Sequence, residues 1–448
     1  MEDKGNKGIM TVKKDTIFAL SSAYGKAGVS VFRISGPASL SILSKLTKGK
    51  KIIPNKMFYS GFYNPSNGEL LDTGMAVFFK SPASYTGEDT VELFTHGSIA
   101  IVDILYNVLG TFKGTRLAEA GEFTKQAFLN GRLDLTQVEA VADLIEAQTE
   151  SQRKLALKNA NGEEAKLYST WREKLVKILA WYEASIDFSD DEMPKDVIFK
   201  SDNLMKDLVI EMKKHIETVA VATRIKNGLN VAIIGKPNVG KSSLFNKIIG
   251  ENKAIVSSIA GTTRDVIDAS LDINGFKINL SDTAGLNEKT NDRIEKKGIA
   301  KANKIAKIAD IKIYVVDSLK SIDNKKIDMD TIVILNKIDK KKSVDEVQKN
   351  IIPMSVKSGE GFDKFWRIFT SKIKEKMAVS NDITMSQQRY KTALSNCVME
   401  LEQAIKTEPI DLKVEHIRLA TDEIGVITGQ VYFNELLDEI FSHFCLGK

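Results

Sequence analysis

Apolar and polar positions follow three patterns along the chain. From Asp15 to about Phe128, short or alternating apolar runs such as VSVFRI and DTVELF are separated by turn-forming residues. This pattern predicts an α+β domain with a mostly strand core. From Leu133 onward, apolar residues recur every three or four positions, which predicts long amphipathic helices. Near Gly228, short β-branched runs begin to alternate with helical stretches, which indicates a parallel α/β domain.

The helical period returns after about Val379 and continues to the end of the chain. Because helical segments flank the α/β unit on both sides, we predict that this unit is inserted into a helical domain. Such insertions are tolerated where the termini of the inserted domain lie close together. The pattern predicts a multidomain α+β protein with these parts: a disordered extension (1–14), an N-terminal α+β domain (15–128), an all-α helical domain in two halves (129–227 and 378–448) and an inserted α/β domain (228–377).

The composition is that of a globular protein, with 448 residues, 43% hydrophobic, 27% charged and a net charge of +5. Two cysteines, Cys397 and Cys445, provide no disulfide framework, which suits a reducing cytoplasm. Four scattered histidines give no metal cluster. No uncharged apolar stretch approaches the roughly 18 residues that a membrane span needs, so we expect no membrane partner.

The stretch GKPNVGKS, residues 235–242, follows the apolar strand NVAII and precedes the helix SSLFNKII. This context is that of a phosphate-binding P-loop, whose backbone N–H groups surround phosphate oxygens at a helix N-terminus. Lys241 is predicted to neutralise the β and γ oxygens, and the Ser242 hydroxyl to ligate Mg²⁺. A tight glycine turn between strand and helix is the alternative interpretation.

Three further motifs follow strands in the order expected for a nucleotide site. Asp282 ends the strand KINLS, where its carboxylate can hold the Mg²⁺ shell through water. Asp339 follows the strand TIVIL, and its carboxylate can accept from both N1–H and the 2-amino group of guanine, a donor pair that adenine lacks. Ser355, Val356 and Lys357 complete the base pocket. The predicted nucleotide is therefore GTP.

Residues 260–265, AGTTRD, resemble the first switch of the translation-factor-like GTPases, in which Thr263 would also ligate Mg²⁺. Leu286 stands where Ras-like GTPases carry the glutamine that orients water, and leucine cannot perform that role. Asn238 is similar to the potassium-coordinating asparagine of cation-activated GTPases. That resemblance implies a K⁺ site formed by Asn238, the carbonyls of Ser257 and Ile259, and Thr262. A turn-forming role for Asn238 stays open. We interpret Arg264 as structural.

Outside the α/β unit the chain resembles, nearly end to end, the tRNA-modification GTPase family MnmE (TrmE). The matching stretches include GKAGVSVFRISGP, SYTGEDTVEL, AGEFTKQAFLNGRLDLTQVEAVADLIEA and the C-terminal FCLGK. The resemblance implies a tetrahydrofolate-binding, dimer-forming N-terminal domain, a helical domain and an inserted P-loop GTPase domain. It also implies a cytoplasmic homodimer that binds tRNA and forms a heterotetramer with MnmG, which carries FAD and NADH. Together they add a (carboxymethyl)aminomethyl group at C5 of the wobble uridine. The segment that connects the predicted strands IKIYVV and TIVILN is shorter than the family resemblance leads us to expect.

The family match also assigns residues to the one-carbon chemistry. A 5-formyl- or methylene-type tetrahydrofolate offers N–H donors that suit Glu92, and carboxylates that suit Arg33, Arg132 and Lys448. Alternatively, Glu92 and Arg33 belong to an ordinary ion pair. Cys445 is implied as a participant in modification, although packing alone suggests a buried hydrophobe. Glu295 corresponds to the glutamate that positions catalytic water if one extra residue is allowed between Gly285 and Gly298.

The full predicted GTP-binding set consists of Asn238, Val239, Gly240, Lys241, Ser242, Ser243, Ser257, Ser258, Ile259, Ala260, Gly261, Thr262, Thr263, Asp282, Thr283, Ala284, Gly285, Asn336, Lys337, Asp339, Ser355, Val356 and Lys357. Two other functions remain open. A ribosome-assembly or signalling GTPase without modification chemistry would share the nucleotide motifs. A folate-dependent aminomethyl transferase acting on protein would share the N-terminal fold, and fold is a poor guide to substrate.

Overall fold

The computed structural model describes residues 15–187, 195–255, 269–282, 305–340, 351–377, 387–431, 434–442, 444 and 447. The predicted extension, residues 1–14, lies outside them. The chain forms two compact units: Met1–Glu139 with Thr428–Lys448, and Ala140–Ile427. Among the described residues, no helix is long and apolar enough to cross a membrane.

The first unit is built around a six-stranded sheet in the order β3-β4-β5-β2-β1-β6, antiparallel except for the β1–β6 pair. Its elements are β1 (Thr16–Leu20), β2 (Ala27–Ser35), α1 (Ser39–Leu46), β3 (Phe58–Tyr63), β4 (Leu70–Phe79), β5 (Thr90–Gly97), α2 (Ile99–Gly110), β6 (Thr115–Leu117) and α3 (Glu122–Leu129). Alternation along β2 buries Phe32 and Ile34 together with apolar residues of α1 and α2 in one core.

The described residues between 135 and 227 form five helices: α4 (Leu135–Glu146), α5 (Glu150–Ala160), α6 (Glu163–Asp187), α7 (Lys195–Glu217) and α8 (Val219–Asn227). The three-to-four spacing predicted from the sequence is visible on α6, where Trp171, Leu175, Ile178 and Tyr182 are all buried. Helix α8 joins two cores, because Val219 packs with the helices while Ile225 packs with the sheet that follows.

That sheet has seven strands in the order β13-β12-β11-β7-β10-β9-β8. Its elements are β7 (Leu229–Ile234), α9 (Lys241–Gly250), β8 (Lys253–Ala254), β9 (Ala269–Ile273), β10 (Phe276–Asp282), β11 (Ile311–Val316), β12 (Thr331–Leu335), β13 (Ile351–Pro353) and α10 (Phe362–Lys376). Strands β13, β12, β11, β7 and β10 are parallel, so their carboxyl ends lie along one edge. The short link between β11 and β12 forms two 3₁₀ helices, Leu319–Ser321 and Asn324–Lys326.

In the part of the chain after α10 that the structure describes, there are three helices: α11 (Gln388–Lys406), α12 (Ile410–Thr428) and α13 (Asn434–Ser442). Buried residues of α11, including Tyr390 and Leu394, share the core of α6 and α7. The two halves of the helical sequence therefore pack together in one core, which is separate from the core of the inserted sheet. Helix α13 contacts α3 in the first unit. The predicted fold class, with its α+β, all-α and inserted α/β parts, is confirmed.

Candidate functional site

The loop between β7 and α9 needs glycine at two positions. Gly235 has φ +149° and Gly240 has φ +103°. A Cβ on Gly235 would lie 2.3 Å from the carbonyl oxygen of Val315, and a Cβ on Gly240 would lie 2.2 Å from Asn336 Nδ2. Glycine at both points lets the loop backbone pass close to β11 and to Asn336, in a conformation that residues with a Cβ rarely adopt, just ahead of the N-terminus of α9. This is the cradle that a P-loop requires.

Lys241 begins α9 with its side chain folded against this loop. Only 5% of its surface is exposed, and its ammonium donates to the carbonyl oxygen of Lys236 at 2.9 Å. Burial lowers the pKa of Lys241, and the nearby Asp282 carboxylate opposes that effect. A phosphate oxygen at the loop would give the buried ammonium a charged partner.

Ser242 and Asp282 bring the two predicted Mg²⁺-supporting groups together. The Ser242 hydroxyl donates to Asp282 Oδ2 at 2.7 Å. Asp282 ends β10, which pairs with β7 in parallel register, so the two strand ends set this distance. A hydroxyl and a carboxylate form an all-oxygen donor set, which fits a hard cation such as Mg²⁺. Ser243, next along α9, is exposed.

Asn336 connects the phosphate loop to the predicted base pocket. It is 3% exposed and lies at the end of β12. Its Nδ2 donates to the carbonyl oxygen of Val239 at 2.8 Å, and its Oδ1 accepts from the Val356 amide at 3.1 Å. Lys337, with φ +63°, donates from its ammonium to the carbonyl oxygen of Asn238. One side-chain amide therefore fixes the relative positions of three segments.

Asp339 is exposed and is oriented from one side by a buried neighbour. The hydroxyl of Ser355, which has no exposed surface, donates to Asp339 Oδ1 at 2.7 Å. An acceptor-only carboxylate held in this way suits the paired N–H donors of guanine. Lys357 is exposed at the rim of this pocket, and Asn238, with φ +62°, is exposed in the phosphate loop.

Several predicted residues lie outside the described part of the chain, and their roles stay predictions. They are Ser257, Ser258, Ile259, Ala260, Gly261, Thr262, Thr263, Thr283, Ala284, Gly285, Glu295, Cys445 and Lys448. Of the predicted nucleotide residues, the structure brings together those of the phosphate loop, Asp282, the Asn336–Asp339 segment and the Ser355–Lys357 segment.

A cavity of about 400 Å³ lies in the first unit and contains two of the predicted folate residues. It is lined by Phe79, Ala83, Ser84, Tyr85, Thr90, Glu92 and Arg132. Its volume falls within the range of small-molecule sites, roughly 300–1,000 Å³. Glu92 and the exposed Arg132 supply opposite charges, while Phe79 and Tyr85 supply flat apolar walls. This combination fits a ring system that carries both donors and carboxylates.

Arg33 and Glu92 form an ion pair with each other, which was the alternative interpretation of both residues. They are directly opposite on β2 and β5, and Arg33 Nε and Nη2 donate to Glu92 Oε1 at 3.0 and 2.9 Å. Each side chain is 18% exposed. The Arg33 guanidinium also lies over the rings of Tyr85 and Phe123, at 5.0 and 5.6 Å from their centres. Because Glu92 Oε2 takes no part in this pair, the pairing leaves that oxygen for other contacts.

Sequence reasoning did not identify Tyr85 and Phe123 as part of this region. Tyr85 lies in the SYTGEDTVEL stretch, which is one of those that match the family, so the resemblance could have identified it as a candidate site residue. Phe123 is fully buried near the start of α3, and nothing in its local sequence distinguishes it from a core residue. Both rings contact the Arg33 guanidinium from other segments, Tyr85 from the segment between β4 and β5 and Phe123 from α3.

The end of the chain packs against β1 within the first unit. Ser21 Oγ donates to the carbonyl oxygen of Gly447 at 2.8 Å. A Cβ on Gly447, which has φ +90°, would lie 2.1 Å from the carbonyl oxygen of Leu20. Phe444 is buried, and its Cβ lies 3.0 Å from where a Cβ on Gly121 would be. The described residues that flank Cys445 and Lys448 are therefore docked.

Comparison with known proteins assigns the chain to a family. The family described as "MnmE helical domain" matches residues 135–445, and "GTP-binding protein TrmE N-terminus" matches residues 16–132. Relatives named tRNA modification GTPase MnmE are 44% identical in Rickettsia prowazekii (strain Madrid E), 43% in Rickettsia canadensis (strain McKiel) and 45% in Rickettsia rickettsii (strain Sheila Smith). Each alignment covers 97% of this chain and 100% of the relative. Together with the nucleotide-site geometry and the N-terminal cavity, these matches establish that the chain belongs to the MnmE family of tRNA modification GTPases.

Proposed function

We propose that this protein hydrolyses GTP to drive the addition of a (carboxymethyl)aminomethyl group to C5 of the wobble uridine in tRNA. The observation that carries the GTP part is the Ser355–Asp339 hydrogen bond, which orients a guanine-reading carboxylate at the same sheet edge as Ser242 and Asp282. The modification part is supported by family membership and by the separate cavity lined by Glu92 and Arg132.

At the nucleotide site, Lys241 and the amides of the phosphate loop bind the β and γ phosphates. Mg²⁺, when bound, neutralises charge on the phosphate oxygens. Ser242 and Thr263 would hold the ion directly, and Asp282 would orient its water ligands. Asn336 keeps the phosphate loop at a fixed distance from the base pocket, so hydrolysis and guanine selection depend on one connected set of hydrogen bonds.

Potassium activation is the second element of the proposal. Leu286 cannot orient the attacking water. By the family match Glu295 would position that water, and K⁺ would supply the positive charge that an arginine finger provides elsewhere. Asn238, Ser257, Ile259 and Thr262 would hold the ion. The exposure of Asn238 within the phosphate loop supports its part. The hydrolysis rate should rise sharply in KCl over NaCl in the native chain and not in Asn238→Ala. Equal hydrolysis rates of the native chain in KCl and NaCl would refute the proposed activation by potassium.

The N-terminal cavity is proposed to hold a 5-formyl- or methylene-type tetrahydrofolate. Glu92 would accept from the pteridine N–H groups, and Arg33, Arg132 and Lys448 would contact polar and carboxylate groups of the cofactor. Cys445 takes part in the modification chemistry near this site. The docked position of Gly447 supports a C-terminal contribution, because it keeps the chain end against β1.

The protein is proposed to act in the cytoplasm as a homodimer that joins MnmG, the carrier of FAD and NADH, in a heterotetramer. The decisive experiment is nucleoside mass spectrometry of tRNA from a strain lacking this gene. The strain should lose the modified wobble uridine and regain it with the native gene but not with Ser242→Ala. Unchanged wobble uridines in the deletion strain would refute the modification function and favour a GTPase without it.

A further inference from the structure

A second cavity lies within the unit of residues 140–427. It is enclosed by α5, by the turn between β9 and β10, and by the end of α10, and its volume is about 570 Å³. Its lining consists of Glu150, Ser151, Lys154, Leu155, Lys158, Ile225, Asn274, Gly275, Phe276, Lys374 and Met377. None of these residues belongs to the predicted nucleotide, cation or folate sites.

The interior of this cavity is apolar. Ile225 and Met377 are 2% and 1% exposed, and both belong to the core of the seven-stranded sheet. Leu155 and Phe276 pack against the same core and are only partly buried, so they present open apolar surface. A cavity of this size with an apolar floor can bury a ring-sized organic group.

The rim of the cavity is positively charged. Lys154, Lys158 and Lys374 lie around it, against a single acidic residue, Glu150. Glu150 accepts from Arg153 Nε and Nη2, both at 2.8 Å, and lies 3.4 Å from Lys154 Nζ, while Lys158 Nζ lies 3.7 Å from Glu163. With Arg153 and Glu163 included, the positive groups still outnumber the negative ones. Lys374 is exposed on the last turn of α10. The rim therefore favours an anion over a cation.

The walls are fixed by hydrogen bonds between two distant parts of the chain. The Ser151 amide and hydroxyl both donate to the carbonyl oxygen of Gly275, at 3.0 and 2.7 Å. The Gly275 amide in turn donates to Asp272 Oδ1 at 2.8 Å. A capping box at Thr149 and Gln152 defines the start of α5 on the same side. The cavity is thus preformed, and a ligand would meet little ordering cost on entry.

We propose that this cavity binds an aromatic organic anion. The ring system lies against Leu155 and Phe276, and the anionic group faces Lys154, Lys158 and Lys374. A nucleoside monophosphate and an aromatic carboxylate share this chemistry. A ligand in this cavity also contacts the turn between β9 and β10, and β10 ends at Asp282. We therefore expect the ligand to change the rate of GTP hydrolysis. This expected effect rests on the proposed GTPase function, whereas ligand binding does not.

The test is a fluorescence titration of the full chain, without nucleotide, using anilinonaphthalene sulfonate as the aromatic anion. We expect saturable binding that weakens about three- to tenfold in Lys158→Glu and in Lys374→Glu, because each change reverses a rim charge. Lys206→Glu, on the exposed face of α7, is the matched control and should bind like the native chain. Leu155→Trp, which fills the floor, should reduce binding further.

Two additional measurements identify which cavity binds the probe and which class of anion the cavity prefers. Arg132→Glu alters the N-terminal cavity, so a loss of probe binding confined to that variant would overturn the proposal. Equal affinity in the native chain, Lys158→Glu, Lys374→Glu and Leu155→Trp would also overturn it. Competition by uridine monophosphate favours a nucleotide ligand, and competition by naphthoate alone favours a carboxylate.

The effect on hydrolysis has its own readout. Saturating probe should change the rate by at least about twofold in the native chain, and the probe concentration that gives half of this change should be about three- to tenfold higher in Lys374→Glu. An unchanged native rate would refute the coupling to the nucleotide site. If the native chain binds the probe but hydrolyses no GTP even without the probe, the proposed GTPase function is contradicted. The cavity would still be a binding site.

Discussion

The Ser242 hydroxyl donates to Asp282 Oδ2 at 2.7 Å, which joins the start of α9 to the end of β10. These residues are 40 positions apart and meet because β7 and β10 are adjacent parallel strands. The two groups that we propose support a nucleotide-bound cation are thereby gathered at one sheet edge, where the carboxyl ends of parallel strands place binding groups in open α/β folds.

Replacing Ser242 by alanine should lower GTP hydrolysis about tenfold or more at limiting Mg²⁺, because the cation loses a hydroxyl ligand. The measurement is the hydrolysis rate as a function of Mg²⁺ concentration. Ser371→Ala, at an exposed position of α10, should behave like the native chain. A Ser242→Ala enzyme with an unaltered Mg²⁺ dependence would contradict the assigned role.

Changing Asp339 to asparagine should exchange the preferred base. The amide loses one acceptor for guanine and gains a donor that suits the O2 carbonyl of xanthine. We expect GTP affinity to fall about a hundredfold and xanthosine triphosphate to become the tighter ligand, as measured by competition against a fluorescent nucleotide. The Ser355 contact remains possible with the asparagine Oδ1. Retention of GTP preference would show that another group reads the base.

Gly240→Ala should disrupt the contact between the phosphate loop and the base pocket. The new Cβ would lie 2.2 Å from Asn336 Nδ2 at a φ of +103°, and such strain costs about 1–3 kcal/mol. Nucleotide affinity should fall at least about tenfold in calorimetric titrations. Gly250→Ala is the matched control, since nothing lies within 4 Å of a Cβ there. Equal affinities of the two variants would refute the steric argument.

Glu92→Gln should weaken binding of 5-formyltetrahydrofolate about tenfold, because the charge-assisted acceptor for the pteridine is replaced by a neutral amide. The paired Arg33 would keep its stacking on Tyr85, so the fold should persist. Binding is measured by calorimetry, with Glu69→Gln at an exposed turn as control. If the Glu92→Gln chain bound the folate as tightly as the native chain, Glu92 would be only a partner for Arg33.

A buried polar cluster in the helical core predicts a pH-dependent stability. The Tyr168 hydroxyl donates to Glu164 Oε1 at 2.8 Å and lies 3.1 Å from His215 Nε2, with Tyr168 and Glu164 fully buried. Burial, followed by the Glu164 charge, raises the pKa of Tyr168 well above 10. Since the folded pKa is raised, this contribution to stability is complete below pH 10 and declines as pH rises above it.

Tyr168→Phe should therefore be less stable than the native chain at pH 8, by about 1–2 kcal/mol, because Glu164 and His215 lose a partner. Between pH 8 and 11 the difference should shrink by about 1.4 kcal/mol, since tyrosine ionises in the unfolded native chain and phenylalanine cannot. Urea unfolding at both pH values measures this. A difference that stays constant with pH would contradict the assignment.

Local pattern predicted the elements around the nucleotide site well. The apolar run NVAII forms the larger part of β7, and the predicted helix SSLFNKII lies within α9. Both predictions depend only on neighbouring residues, because the alternation of apolar residues in a strand and the turns formed by glycine involve only a few positions. The dual role of Asn336 was not predicted, since its partners, Val239 and Val356, lie 97 and 20 positions away.

The order of residue types already identified the chemical groups at each strand end: glycines, Lys241 and Ser242 after β7, Asp282 at the end of β10, and Asp339 after β12. Tertiary structure alone decided which atoms meet, such as the pairing of Arg33 with Glu92 across β2 and β5 and the closing of a cavity between α5 and the β9–β10 turn. The reason is physical: residue type fixes what a side chain can donate or accept, whereas its partner is fixed by strand register and by the packing of segments distant in sequence.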